Sequence, residues 1–146
     1  VDHVAMPNLE AARAATSHLI ERGCRRVAFL CGALEEVDTS SFRLTGYRQA
    51  LEGSGLAVDR ALIQQVDRLG MREGARRARE MAESGLDFDG VFCITDSLAM
   101  GVLRGLADVG IRVGAGETAA AVRVADEREL AGVLLALAHR RTSARE

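Results

Sequence analysis

Residues Arg26–Leu51 read RVAFLCGALEEVDTSSFRLTGYRQAL, and the change of period within this stretch decides the fold class. Val27 to Cys31 is a short unbroken apolar run rich in β-formers and closed by Gly32, the pattern of a parallel strand covered on both faces. A loop follows. Leu44, Tyr47 and Leu51 then recur at helical spacing behind Thr39, Ser40 and Ser41, each a competent N-cap. The spacing predicts a helix starting near residue 40 or 41, with Arg43 in its first turn. A cation there opposes the partial positive charge of a helix N-terminus, at a cost of about 0.3 to 1 kcal/mol. Two compensations are open from the residues alone. One is a loop carboxylate, Glu36 or Asp38; the other is a ligand oxygen at the carboxyl end of the strand, where open α/β sheets bind small molecules. Gly46 lies inside the same helix, where it costs about 1 kcal/mol relative to Ala, and signals a close backbone approach.

Outward from this unit, strands and helices alternate. Upstream, Asn8 after Pro7 predicts an N-cap for a helix with the stripe Ala12, Ala15, Leu19 and Ile20, ended by Gly23. Downstream, a strand is expected over Leu62–Val66, then a helix from Met71 to Ser84 that buries Met71, Ala75, Ala78 and Ala82. The arginines of that helix interleave with Glu73, Glu80 and Glu83, which makes a solvated face rather than a nucleic-acid patch. A third strand, Val91 to Ile94, leads to a helix capped by Asp96 that buries Ala99, Val102, Leu103 and Leu106 and stops at Gly110. Beyond Gly114, Ala119 to Val124 reads as a small-residue strand. Asp126 with Glu129 resembles a capping box for a helix along Leu130, Val133, Leu134 and Leu137. This alternation predicts an α/β fold with a parallel sheet flanked by helices on both faces.

A chain of 146 residues suits one domain with a real core. Its net charge of -2 provides no basic footprint for nucleic acid. Aromatics at 3% and the absence of Trp leave no stacking platform for bases. Cys24, Cys31 and Cys93 are an odd number without CxxC spacing, and read as reduced thiols of a cytoplasmic protein. No apolar run reaches membrane-spanning length, so no membrane partner is expected. Catalytic constellations are missing: His3, His18 and His139 are scattered, and neither a GxSxG elbow nor a zinc-like spacing occurs. The first strand runs into CGALEEV, which is neither a dinucleotide fingerprint nor a phosphate loop. The expectation is no enzyme, no metal and no cofactor, which leaves binding without chemistry.

Three segments in order, HLIERGCRRVAFLCG at 18–32, TSSFRLTGYRQAL at 39–51 and VFCITDSLAMGVLRGL at 91–106, carry a resemblance. Together they resemble the effector-binding domain of the LacI and GalR family of bacterial transcription regulators, over residues 1–113. The resemblance implies a type I periplasmic-binding-protein-like fold of two subdomains with the effector between them, of which this chain supplies mainly the carboxyl-terminal one. Residues 114–146 depart from the family pattern, as expected of a truncated or frame-altered segment. The implied function is sensing of a small hydroxylated or anionic effector, a sugar or related metabolite. A homodimer is also implied, with operator DNA contacted only through an N-terminal helix-turn-helix that would precede Val1. A solute-binding protein of a sugar transporter shares the fold and is the alternative. Carried over residue by residue, Arg43 matches the arginine that anchors the effector and Thr39 a hydroxyl position of the same pocket. Thr95 and Asp96 match an Asn and Asp pair, Leu69 stands where several members place an aromatic ring, and Asp126 is a displaced candidate for the effector-binding carboxylate.

Overall fold

A computed structural model describes residues 2–32, 34, 39–111, 123–124 and 133–136, with side chains for 8–32, 34 and 41–111. The order is α1 (Asp2–Glu21), β1 (Val27–Cys31), α2 (Thr39–Gly53), β2 (Ile63–Gln65), α3 (Met71–Glu83), β3 (Gly90–Cys93), α4 (Asp96–Asp108), β4 (Arg123–Val124) and β5 (Val133–Ala136). The strands lie in the order β2-β1-β3-β5-β4. The first three are parallel, with Phe29 opposite Ile63 on one side and Phe92 on the other.

The apolar run that announces β1 does so because both of its faces are covered. Every residue from Val27 to Cys31 is buried. Successive side chains of a strand point to opposite faces, so Val27, Phe29 and Cys31 share one face and Ala28 and Leu30 the other. On the first face the Phe29 ring lies 5.0 Å from that of Tyr47 in α2 and 5.4 Å from that of Phe92. The chain leaves β1 toward β2 on one side and returns across it to β3 on the other. With right-handed crossovers these two connections put α2 and α3 on opposite faces. Helix α1 packs with α2, and α3 with α4. Glycines set both pairings close: a Cβ on Gly46 would lie 2.2 Å from the Leu9 carbonyl oxygen, and one on Gly101 would lie 2.1 Å from that of Met71.

Tyr47 joins the helix layer to the sheet, its fully buried hydroxyl donating to the Val27 carbonyl. Losing that bond strands a buried acceptor, which costs about 1 to 3 kcal/mol. Tyr47→Phe should therefore lower the urea midpoint at unchanged slope. Burial pushes the Tyr47 pKa well above its ordinary 10.0, with Asp59 adding to the effect. A raised folded-state pKa means stability that is complete below 10.0 and declines as pH rises above it, because only the unfolded chain releases the proton there. Tyr47 is the one tyrosine of the sequence, so tyrosinate absorbance should appear only with unfolding. In Tyr47→Phe this contribution to alkaline destabilisation should vanish; gradual ionisation of the native protein near pH 10 would contradict the packing.

Several expectations are corrected. The expected parallel sheet is present in β1–β3, and what the alternation did not indicate is its extension by β5, antiparallel to both β3 and β4. Of the helix expected along Leu130, Val133, Leu134 and Leu137, the described residues Val133–Ala136 form a strand instead, an unbroken apolar run paired with the buried β3, while Leu130 and Leu137 lie outside the described residues. Only Arg123–Val124 of the expected strand 119–124 lies within the described residues. Asn8 is not an N-cap, because α1 begins at Asp2 and runs through Pro7. Helix α2 starts at Thr39, which makes Arg43 its fifth residue. The buried stripe of α3 is Gly74, Ala75, Ala78 and Met81, leaving Met71 55% exposed.

Candidate functional site at the carboxyl ends of β1 and β3

The point where successive connections leave the sheet in opposite directions is the gap between β1 and β3, and at their carboxyl ends such folds open a crevice. The Ile94 amide donates to the Leu30 carbonyl and continues the β1–β3 pairing one residue past β3. The Ile94 carbonyl is taken by Arg43: Nη1 donates to it at 2.7 Å. The other edge of the guanidinium faces α1, where Nε and Nη2 both donate to Asn8 Oδ1 at 3.3 Å.

Three of the five N–H donors of Arg43 are thus engaged among the described residues, each by a neutral oxygen. Partial burial pulls the Arg43 pKa below its ordinary value, which is the mark of a cation held out of water. An arginine nevertheless stays charged. Glu36 and Asp38, the loop carboxylates weighed as partners, lie outside the described residues. What the arrangement supplies is a planar cation fixed at the carboxyl ends of β1 and β3, with one N–H on each Nη not engaged among the described residues and suited to a paired acceptor such as a carboxylate or adjacent hydroxyls.

The other expected positions surround it unevenly. Thr39 opens α2, but its side chain, like the whole of Asp126, is outside the described residues. Thr95 rather than Asp96 caps α4: its Oγ1 accepts from the Leu98 amide at 3.2 Å, and an extended backbone puts Thr95 outside the helix. Asp96 is the first helical residue and exposed, of the sign a helix start favours. Leu69, 42% exposed, lies over Gly32 beyond the end of β1, where a Cβ on the glycine would stand 3.5 Å from Leu69 Cδ2. The structure therefore brings Arg43 against the Ile94 carbonyl, the residue before Thr95, and Leu69 against the end of β1.

A second cationic feature explains itself without a ligand. A cavity of about 560 Å³ at the start of α3 is lined by Arg68, Arg72 and Arg76. Arg76 is already clamped by Glu73 at 2.6 and 2.8 Å and by Glu80 at 2.6 Å, which is the solvated face the interleaved charges predict. Among the described residues no group of His, Cys, Asp or Glu could hold a metal ion. The three thiols are buried and form no disulfide; Cys24 Sγ donates to the Asp89 carbonyl at 3.3 Å, and burial pushes the Cys93 pKa upward.

The family model of the periplasmic binding protein-like domain matches residues 16–116, spanning β1 through α4 and including Arg43 but not Asn8. The chain belongs to that family. Its similarities are to LacI-type transcription regulators. It is 35% identical over 113 residues to the HTH-type transcriptional regulator CelR of Thermobifida fusca, a match covering 77% of this chain and 33% of that one. The solved structure of a putative LacI-family regulator from Sanguibacter keddieii is similar at a TM-score of 0.68 and 41% identity, over 71% of this chain and 39% of the other. A CelR–cellobiose complex is similar at a TM-score of 0.66 and 36% identity, over 73% and 32%. The chain spans about a third of the length of these relatives. The similarity thus carries the fold recognised from the three sequence segments.

Asn8 is the site residue that the sequence did not disclose. It sits 35 positions from Arg43, and its local signal, an amide after a proline, points to a helix cap.

Proposed function

We propose that this chain is the effector-sensing part of a LacI-type transcription regulator and that its effector is a sugar or related hydroxylated metabolite. The carrying observation is the Arg43 guanidinium, held by the neutral oxygens of Ile94 and Asn8 at the carboxyl ends of β1 and β3. A cellobiose complex of a 36% identical regulator supports the ligand class. In the complete protein a second subdomain would cover the other side of the ligand, and its closure would couple binding to operator affinity. The role is binding without catalysis, in the cytoplasm. A homodimer is proposed as well, with the exposed Met71 and Met100, beside the close α3–α4 crossing at Gly101, as its apolar contact. The transporter reading recedes because the similar proteins are regulators.

Calorimetric titration of the full-length protein with glucose, galactose, cellobiose, gluconate and glucose 6-phosphate tests this reading. At least one should bind with a Kd below about 1 mM, the scale of a modest specific site. No heat with any of them would reject the sugar effector. The isolated chain, by contrast, should bind every member poorly, because half of a cleft leaves a ligand half solvated. It should also shift operator DNA no better than random DNA, given its net charge of -2.

We further propose that 114–146 is a truncated or frame-altered segment, a reading supported by the end of the family match at residue 116. Translating the other frames of the gene should recover a Gly, aromatic and acidic cluster; finding none in either frame would dismiss this origin.

A further inference from the structure

We propose that Asn8 is the positioning residue of the site, fixing the guanidinium of Arg43 in the orientation that receives the effector; the proposal rests on Arg43 being an effector anchor. An arginine side chain has four rotatable bonds, and a ligand that must first immobilise it loses affinity to that ordering. Here the ordering is done before the ligand arrives. Asn8 Oδ1 takes one edge of the guanidinium through both Nε and Nη2, while the Ile94 carbonyl takes Nη1. A plane fixed at two separated points cannot turn about either, so the remaining N–H on each Nη keeps one direction.

The two grips differ in kind. The Ile94 contact, at 2.7 Å, is of the length expected for a charge-assisted bond and joins α2 to the end of β3. The Asn8 contacts, at 3.3 Å, are longer and come from a neutral amide on α1. An amide oxygen orients the cation without cancelling its charge, so Arg43 remains able to make strong bonds to ligand oxygens. Asn8 touches Arg43 from a helix that Gly46 holds close to α2, with the Leu9 carbonyl beside that glycine. The position of Asn8 is therefore set by helix packing, and Arg43 is aimed by Asn8.

The test has two arms. In the 146-residue chain, hydrogen exchange at the Arg43 Nε–H, followed by NMR, should quicken by about tenfold in Asn8→Ala and stay near the native rate in Asn8→Asp, which keeps an acceptor. In the full-length protein, the second arm is a double-mutant cycle on the panel sugar that titrates most tightly. Asn8→Ala should weaken binding by about fivefold in the native background and by nothing in the Arg43→Ala background, with Asn8→Asp restoring most of the affinity. Unchanged Nε–H exchange in Asn8→Ala overturns the proposal. So does an equal loss of affinity in both backgrounds, which would give Asn8 a contact of its own. If Arg43→Ala weakens the sugar and Asn8→Ala does not, the positioning role falls and the anchor stands; if Arg43→Ala changes nothing, the anchor itself falls.

Discussion

Arg43→Ala should weaken effector binding by at least about tenfold, because each charge-assisted bond from the guanidinium to a ligand oxygen is worth about 1.5 to 3 kcal/mol and about 1.4 is a factor of ten. The same substitution should also lower stability. It removes the donor to the Ile94 carbonyl, and Ile94 is only 4% exposed, so a buried acceptor is left without that partner at about 1 to 3 kcal/mol. Loss of stability alone therefore does not separate a structural arginine from a binding one. Arg43→Lys does. A lysine ammonium can reach one acceptor and preserve part of the fold contribution, but it has no planar fork to grip two ligand oxygens while bonded to Ile94. Calorimetry alongside thermal melting should show Arg43→Lys near native in melting temperature and close to Arg43→Ala in affinity. A lysine variant that binds as tightly as the native protein would reduce Arg43 to a packing residue.

Much of the fold is legible because it is local. The Val27–Cys31 run is a fully buried strand, and the glycines after α1, α3 and α4 take positive φ at Gly23, Gly85 and Gly110, where helices end. The misreadings share a cause, which is that local signals compete with tertiary ones. Thr95 and Asp96 are both good caps, and the extended conformation required by continuation from β3 falls on the first. In α3 the helical period was right and the phase was wrong by a few tens of degrees, because Gly74 and Gly101 let α4 approach so closely that the stripe turns toward Gly74 and Met81. The run Val133–Ala136 fits a helix stripe as well as a strand, and only the neighbouring β3 decides between them. At the site, Arg43 is singled out by a helix start expected at residue 40 or 41, which puts its charge in the first turn, although α2 begins at Thr39 and Arg43 is its fifth residue. Asn8 conflicts with nothing local and becomes visible only when α1 and α2 are side by side.

Gly46 is where that side-by-side arrangement can be broken with one methyl group. A Cβ there would lie 2.2 Å from the Leu9 carbonyl oxygen, 2.8 Å from the Arg13 nitrogen and 3.0 Å from the Ala12 Cβ. The two nearest of these are backbone atoms of a regular helix, which cannot rotate away as a side chain would. Overpacking of this kind costs about 1 to 3 kcal/mol or somewhat more. Against it stands the gain of about 1 kcal/mol from replacing a helical glycine by alanine. Gly53, in the same helix, meets nothing within 4 Å and supplies the control. Gly53→Ala should leave the melting temperature unchanged or slightly raised, whereas Gly46→Ala should lower it by about 5 to 10 °C, the scale of a loss near 2 kcal/mol in a chain of this size. The effect should reach the site as well. Leu9 follows Asn8 directly, so the separation of α1 from α2 that relieves the clash also draws Asn8 Oδ1 away from Arg43. Effector affinity should then fall in Gly46→Ala measured well below its melting temperature, while Gly53→Ala binds normally. Equal melting temperatures for the two variants would mean that the helices are not in the close contact on which both the packing and the aim of Arg43 depend.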